Sequence, residues 1–202
     1  MKSLLFQKLT KINRLLILGV GLVLISVYFL PIWSISLAAP QYPEGLGMKI
    51  WINKLIGDTS YDLQNINLLN HYIGMQEIVS SSIPELLFMP YVLGYLIFGA
   101  FFTELVPRVG MALLGIVNLI LVGLVGFYDF WRWEYNYGHN LNPEAPIIVE
   151  GMVYQPPLLG CKEMLNITAC SFPSYGGYIL IGSLFLLSYV VWSEYKKNKN
   201  AF

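Results

Sequence analysis

The chain has 202 residues, of which 56% are hydrophobic and only 12% are charged, whereas about 25% of the residues of a soluble domain are charged. Together with a mean hydropathy of +0.59, this composition predicts an integral membrane protein in contact with lipid. The 12 basic and 12 acidic residues balance, so no overall positive field exists to attract nucleic acid, and we expect no nucleic-acid binding.

The first apolar run, residues 15–33, is predicted as a membrane helix, because it is long enough to cross a hydrocarbon core of about 30 Å. The small residues Ser36 and Ala38 that follow it also fit a signal-peptide cleavage site. The run is longer than the apolar region of a signal peptide, which has about 7–15 residues. An uncleaved anchor is therefore the favoured interpretation.

Residues 35–83 form the first long segment between apolar runs, and they are predicted to lie outside the membrane. Two prolines and a glycine interrupt residues 38–45, which predicts a loop there rather than a central strand. The alternating pattern of residues 48–53 predicts a short strand. The apolar spacing within residues 65–78 predicts one short amphipathic helix.

Three further apolar runs predict membrane helices at about residues 84–102, 109–127 and 178–192. A proline followed by a glutamate marks the start of the first of them, since proline suits the first helical turn and an acidic group favours the positive end of the helix dipole. Asn118 is the one strongly polar side chain deep within these runs. An interhelical hydrogen bond explains it more simply than a role in a conduit.

Residues 128–177 form the second long segment outside the apolar runs, and they begin with an aromatic-rich stretch that ends at His139. Aromatic residues at this density are typical of a membrane-interface belt and a packed cap. A surface on which a ligand stacks is the alternative interpretation.

Lysine and arginine are unevenly distributed between the two sides of the predicted membrane. Eight lie at the chain ends or in the short turn near residue 108, and four lie in the two long loops. The positive-inside rule therefore predicts that both termini are cytoplasmic and both loops are extracytoplasmic. The predicted fold is one all-α membrane domain over residues 1–202, with four transmembrane helices and two long extracytoplasmic loops that form a small irregular cap with some strand.

Cys161 and Cys170 lie nine positions apart in the second loop. In an oxidising compartment two such thiols most simply form a disulfide. A thiolate copper site is the alternative, because cysteine is a soft ligand, although the spacing does not match the CxxC motif.

The sequence contains no P-loop, no GxGxxG motif at a strand-to-helix turn, no HExxH and no GxSxG. No two carboxylates are paired at the sequence level for acid–base catalysis, so we do not predict an enzyme. No histidine, aspartate or lysine lies in the middle of the apolar runs. This argues against a proton-relay transporter and against a haem held by two intramembrane histidines.

Four stretches of the outer loops carry a further signal, namely PIWSISLAAPQYPEGL at 31–46, NINLLNHYIGM at 65–75, DFWRWEYNYGHNL at 129–141 and GMVYQPP at 151–157. Together they resemble a family of small four-helix bacterial membrane proteins that is associated with gene clusters for the maturation of nitrous oxide reductase. Those clusters also encode copper-binding lipoproteins and an ABC transporter. The resemblance implies a protein of the bacterial inner membrane that handles copper.

The resemblance also implies which residues and partners take part. Four residues that match the motifs are candidate copper ligands: His71, Met75, His139 and Met152. Imidazole and thioether groups suit copper, and on a helix the four-residue spacing of His71 and Met75 places both on one face. The alternative is that Met75 is ordinary packing and that His71 makes a hydrogen bond within a folded loop.

Two functions follow from these observations. In the first, the loops bind copper in the periplasm and assist a cuproenzyme, with that enzyme or a copper chaperone and other membrane maturation proteins as partners. In the second, the protein is a metal-free scaffold or subunit whose aromatic outer surface docks a partner.

Overall fold

The computed structural model describes residues 4–200. Its helices and strands follow each other in the order α1 (Lys11–Ile25), β1 (Trp33–Ala39), β2 (Tyr42–Ile50), β3 (Leu55–Gly57), α2 (Asp62–Tyr72), α3 (Glu85–Phe102), α4 (Val109–His139), β4 (Gly160–Met164), β5 (Ile167–Pro173) and α5 (Tyr175–Asn200). Short 3-10 turns cover Leu4–Phe6, Ser26–Phe29 and Ser80–Ser82.

Four helical segments within residues 4–200 are long and apolar enough to cross a membrane: Lys11–Phe29, Glu85–Phe102, Val109–His139 and Tyr175–Lys199. They form a bundle in which α1 and α4 each contact both α3 and α5. A shared core of buried apolar side chains from all four helices holds the bundle together. The prediction of four helices that are long and apolar enough to cross a membrane is confirmed.

A polar contact at Asn118 crosses the apolar part of the bundle. Asn118 on α4 donates a hydrogen bond from Nδ2 to the hydroxyl oxygen of Tyr95 on α3, at 3.0 Å. The side chain therefore links two helices, as the simpler of its two interpretations predicted.

The prediction of an all-α fold is wrong. A five-stranded sheet with the order β3-β2-β1-β5-β4 accompanies the helices, and every neighbouring pair of strands is antiparallel. Strands β1 to β3 come from the first loop, and β4 and β5 come from the second. The two loops therefore build one ordered sheet instead of a small irregular cap.

The sheet was missed because residues 38–45 have the composition of a loop. A two-residue turn here joins β1 to β2 in a hairpin. Pro43 is tolerated within β2 because β3 pairs only with residues 48–50, so the first half of β2 lies at a sheet edge where no amide is needed. Gly45 adopts a φ of +77°, a left-handed conformation that glycine accepts without strain.

Helix α4 continues from the predicted end at residue 127 to His139. A helix of 31 residues is roughly 46 Å long at 1.5 Å per residue, which exceeds a hydrocarbon core of about 30 Å. The aromatic-rich stretch is therefore the last part of this helix, and its rings follow helical spacing. Trp33 at the start of β1 packs edge-on against Phe130, with ring centroids 5.6 Å apart.

Cys161 on β4 and Cys170 on β5 are directly opposite each other in the hairpin. They form a disulfide, with Cα atoms 4.0 Å apart. In this state neither sulfur is a free thiolate, so the pair serves to join the two strands.

Helix α2 is attached to the sheet through its first residue. Asp62 accepts hydrogen bonds from the Thr59 hydroxyl and, at 2.9 Å, from the backbone N–H of Gly47 on β2. Of these contacts the Thr59 hydroxyl contributes most to holding the pKa of Asp62 below its ordinary value, because both donors stabilise the ionised carboxylate. The start of α2 is thereby held against β2.

Candidate functional site

Helix α2 ends in a glycine-capped turn that decides where the first two candidate ligands lie. Gly74 has a φ of +80°, and its N–H donates to the carbonyl oxygen of His71 at 3.4 Å. The N–H of Met75 donates to the carbonyl oxygen of Asn70 at 2.8 Å. These two bonds with a left-handed glycine form a Schellman motif, which terminates the helix.

The prediction that His71 and Met75 share one helical face is therefore wrong. The helix stops at Tyr72, so Met75 follows the turn instead of lying one helical turn above His71. His71 is exposed, whereas Met75 is half-buried against the cap. The physical reason is Gly74, which adopts the left-handed conformation more readily than any other residue.

The two outer loops pack against each other at this point. The N–H of Asn142 donates to the carbonyl oxygen of Gly74 at 2.8 Å, and the N–H of Ile147 donates to that of Tyr72 at 3.0 Å. The segment after α4 therefore runs along the end of α2. The two loops are therefore in direct contact, although they are separated in the sequence by α3 and α4.

A second crossing lies at the end of α4. The N–H of Tyr154 donates to the carbonyl oxygen of Gly138 at 3.1 Å. A Cβ atom on Gly138 would lie only 2.3 Å from both Cα and N of Gln155. The extended segment around residue 154 therefore passes directly over the helix, and it can do so because residue 138 has no side chain.

The two crossings gather methionines from separate parts of the chain. Tyr154, Met164 and Ala169 form a small buried cluster, and Met75 and Met152 pack against it. We call these five residues the methionine cluster. Met75 of the first loop and Met152 of the second, two of the four predicted copper ligands, thus pack against the same buried side chains.

The two histidines lie outside this cluster. His71 is exposed, and its ring contacts that of Tyr72 with centroids 6.1 Å apart. His139 is also exposed and stacks on Tyr135, with centroids 3.8 Å apart, while its Nδ1 lies 2.9 Å from the carbonyl oxygen of Tyr135. The set of four donors remains a prediction, and only Met75 and Met152 of that set pack against a common cluster.

Helix α4 carries two rows of aromatic rings beyond residue 127. One row faces the cap: Trp133 stacks between Phe130 and Tyr137, at centroid distances of 6.2 and 4.4 Å. The other row is exposed and consists of Tyr128, Trp131, Tyr135 and His139, each ring in contact with the next. The stretch therefore supplies both a packed cap and an uncovered aromatic surface.

Sequence reasoning missed two buried polar groups, Glu134 on α4 and Tyr154 in the methionine cluster. Glu134 has no exposed surface, and neither carboxylate oxygen has a hydrogen-bond partner among residues 4–200. The Tyr154 side chain is only 2% exposed, and its hydroxyl likewise lacks a partner in this part of the chain. Glu134 lies three and four residues before Tyr137 and Gly138, which on a helix places the three on one face. This spacing could have indicated that Glu134 is buried only if the segment had been recognised as a helix.

A small cavity of about 100 Å³ lies beside Tyr154. It is lined mainly by apolar side chains from the end of α2 and from the segment after α4. No group of three or more His, Cys, Asp or Glu side chains that could hold a metal ion occurs within residues 4–200.

A comparison with models of known protein families and with curated proteins finds no match. The chemistry of the cap is thus the main guide to function.

Proposed function

We propose that this protein is a membrane-anchored accessory protein for cuproenzyme maturation, which handles copper(I) in the periplasm through its α/β cap. The family resemblance makes nitrous oxide reductase the proposed client. A copper chaperone and other membrane maturation proteins are the proposed partners, and the protein itself is not an enzyme.

The observation that carries the proposal is that Met75 and Met152, from different loops, pack against one buried cluster. Thioethers are soft, uncharged ligands that favour copper(I). Two or three of them bind the metal without the closed ring of thiolates that would retain it, which suits a protein that must pass copper on. Met164, a third thioether in the same cluster, is available to complete such a site.

The proposal places the cap outside the cytoplasmic membrane, with both termini in the cytoplasm, because the loops that build the cap are poor in lysine and arginine. Cys161 and Cys170 are the only cysteines in the chain. We expect a membrane-impermeant maleimide to label them in spheroplasts only after reduction, and not to label them in sealed inside-out vesicles. Labelling of reduced protein in the vesicles alone would reverse the orientation.

Replacing Met75 or Met152 by leucine tests the copper site directly. Leucine keeps nearly the same volume, so the stability of the metal-free protein should change by less than about 1.5 kcal/mol. It removes the sulfur, so the copper(I) affinity of each variant should fall at least about tenfold, the equivalent of about 1.4 kcal/mol. Anaerobic competition with a chromophoric copper(I) chelator measures the affinity.

Met89 provides a matched control, because it is a methionine of α3 that packs in the core of the helix bundle and not against the methionine cluster. The Met89→Leu variant should bind copper(I) as the parent does. His71→Ala and His139→Ala decide whether the exposed imidazoles contribute. A parent protein that binds no copper(I), or Met75 and Met152 variants that bind it like the parent, would contradict the proposed function.

The exposed aromatic row on α4 favours a second candidate function. Tyr128, Trp131 and Tyr135 are 63%, 41% and 42% exposed, and aromatic side chains are enriched at protein interfaces. A metal-free scaffold would use this row to dock a partner. If the parent binds no copper(I) and alanine at Trp131 or Tyr135 abolishes assembly with co-purifying membrane proteins, the scaffold function replaces the first proposal.

A further inference from the structure

The end of the helix bundle at which α1 begins and α5 ends is strongly basic. Two carboxylates lie at this end within residues 4–200, and both are already engaged. Glu104 is paired with Arg14, and Glu194 accepts hydrogen bonds from Thr10 and Asn13. The other basic side chains at this end form no ion pair with a carboxylate of the described chain: Lys8, Lys11, Arg108, Lys196, Lys197 and Lys199.

Backbone contacts hold two of these cations side by side. Two hydrogen bonds, at 2.9 and 3.0 Å, join residues 7–9 to residues 107–109. In this short antiparallel bridge Lys8 lies opposite Arg108, and both side chains are exposed. Like charges in directly opposite positions are destabilising. An anion bound beside both side chains would relieve this repulsion.

Exposed apolar side chains accompany the cations. The ring of Phe6 is 62% exposed, and the guanidinium carbon of Arg108 lies 5.6 Å from its centroid. At the end of α5, the ammonium group of Lys196 lies 5.3 Å from the centroid of the exposed Trp192 ring. Such pairs suit the edge of a bilayer, where the apolar group enters the lipid and the charge stays among the headgroups.

The lengths of the helices place Lys8 and Arg108 at the level of the lipid headgroups. The apolar segment Lys11–Phe29 has 19 residues, or about 28 Å at 1.5 Å per residue, which matches a hydrocarbon core of about 30 Å. Lys8 comes three residues before α1, and Arg108 immediately precedes α4. Both therefore lie just outside the hydrocarbon, where the phosphate groups of the lipids are.

We propose that this basic end of the bundle binds an anionic phospholipid, whose phosphate is held by Lys8 and Arg108 and whose acyl chains cover Phe6. Basic residues next to a membrane span attract anionic lipids, and the exposed ring needs apolar surroundings that a soluble phosphate does not supply. The inference goes beyond the proposed function, since it adds a lipid partner at the end opposite the cap. In the orientation proposed above, this lipid belongs to the cytoplasmic leaflet.

The experiment follows thermal unfolding of the full-length protein in a neutral detergent while lipid is titrated in. Phosphatidylglycerol should raise the unfolding temperature, because a ligand of the native state stabilises it, whereas phosphatidylcholine should not. In the Lys8→Gln/Arg108→Gln double variant, half of the shift should require at least about tenfold more phosphatidylglycerol. Sodium chloride should also weaken the response of the parent, because salt screens exposed charges.

The Lys54→Gln/Lys162→Gln double variant is the matched control, because it removes the same charge from two exposed lysines of the outer loops. It should respond to phosphatidylglycerol as the parent does. If Lys8→Gln/Arg108→Gln does not accumulate, the single variant Lys8→Gln takes its place and should need more lipid than the parent. Lys8→Arg keeps the charge and should respond like the parent.

Three results would overturn the proposal. One is an equal shift with phosphatidylcholine and phosphatidylglycerol. Another is an unchanged response when Lys8 and Arg108 are replaced, or an equal loss in the control variant. The third is inorganic phosphate reproducing the shift at the same concentration, which would make the site one for soluble phosphate. None of these results bears on the copper proposal, because the cap lies at the other end of the membrane helices.

Discussion

Replacing Gly138 by alanine is expected to destabilise the protein by about 3 kcal/mol or more, at the upper end of the cost of overpacking. The added Cβ atom would lie 2.3 Å from both Cα and N of Gln155. Both of these are backbone atoms, so no side-chain rotation relieves the clash. The extended segment must move off the helix, and the hydrogen bond from Tyr154 to the Gly138 carbonyl oxygen is lost with it.

The displaced segment carries Met152 and Tyr154, so the same change should also disrupt the methionine cluster. Thermal unfolding in detergent measures the loss of stability, and limited proteolysis of residues 140–159 detects the released segment. Copper(I) affinity should fall together with these changes.

Gly126 on the same helix offers a matched control, because nothing lies within 4 Å of a Cβ atom placed there. Alanine has a helix propensity about 1 kcal/mol better than that of glycine, so Gly126→Ala should leave the stability unchanged or raise it. Equal stability and equal proteolysis of the Gly138→Ala variant and the parent would show that the segment does not cross the helix as described.

Replacing Glu194 by alanine is expected to cost about 3 kcal/mol, because hydrogen bonds to a charged group contribute about 1.5–3 kcal/mol each. Glu194 on α5 is fully buried. Its Oε1 accepts hydrogen bonds from the N–H of Thr10 at 2.7 Å and from Asn13 Nδ2 at 2.6 Å. The substitution leaves both donors without this partner.

The carboxylate of Glu194 acts as the N-terminal cap of α1. Thr10 occupies the cap position, but its own side chain makes no capping hydrogen bond. The Glu194 side chain, from α5, takes the place of the Thr10 side chain as the hydrogen-bond acceptor. The negative charge of Glu194 also lies at the positive end of the α1 dipole. The loss should therefore destabilise the contact between the beginning of α1 and the end of α5.

Chemical unfolding in detergent micelles measures this effect. Glu194→Gln keeps one acceptor oxygen and should lie between alanine and the parent in stability. Glu150→Ala is the control for removal of a carboxylate, because Glu150 is exposed and the expected change at such a site is within about 0.5 kcal/mol. If Glu194→Ala is as stable as Glu150→Ala, the proposed capping role is wrong.

The apolar helices could be predicted because the signal for them is local. Residues 84–102 were predicted as a helix, and α3 spans Glu85–Phe102. Apolar runs of this length have few other stable arrangements, since the backbone must satisfy its own hydrogen bonds in lipid. The end of α4 was harder to predict, because the apolar run stops near residue 127 whereas the helix continues to His139. The polar and aromatic residues in between have the composition of a loop.

The ligand geometry could be predicted only in part. Methionines at positions 75 and 152 already indicated ligands for a soft metal ion. The predicted placement of His71 and Met75 on one helical face was wrong, because the helix ends before Gly74. A single glycine with a φ of +80° redirected the chain, and sequence spacing does not reveal whether a glycine adopts that conformation. Glu134 was overlooked because its complete burial is decided by tertiary packing, which the local sequence does not reveal.

The sequence by itself determined the apolar helices, the asymmetry of basic residues and the types of donor available for a metal, because each of these depends on composition or on neighbours a few residues apart. Only the tertiary structure decided that Trp33–Ala39 pairs with Ile167–Pro173, that Met75 and Met152 pack against one cluster and that the Glu134 carboxylate is buried with no hydrogen-bond partner among residues 4–200. These features arise from contacts between residues far apart in the chain. Such contacts form only when burial of apolar surface and backbone hydrogen bonding together outweigh the entropy of closing the loops.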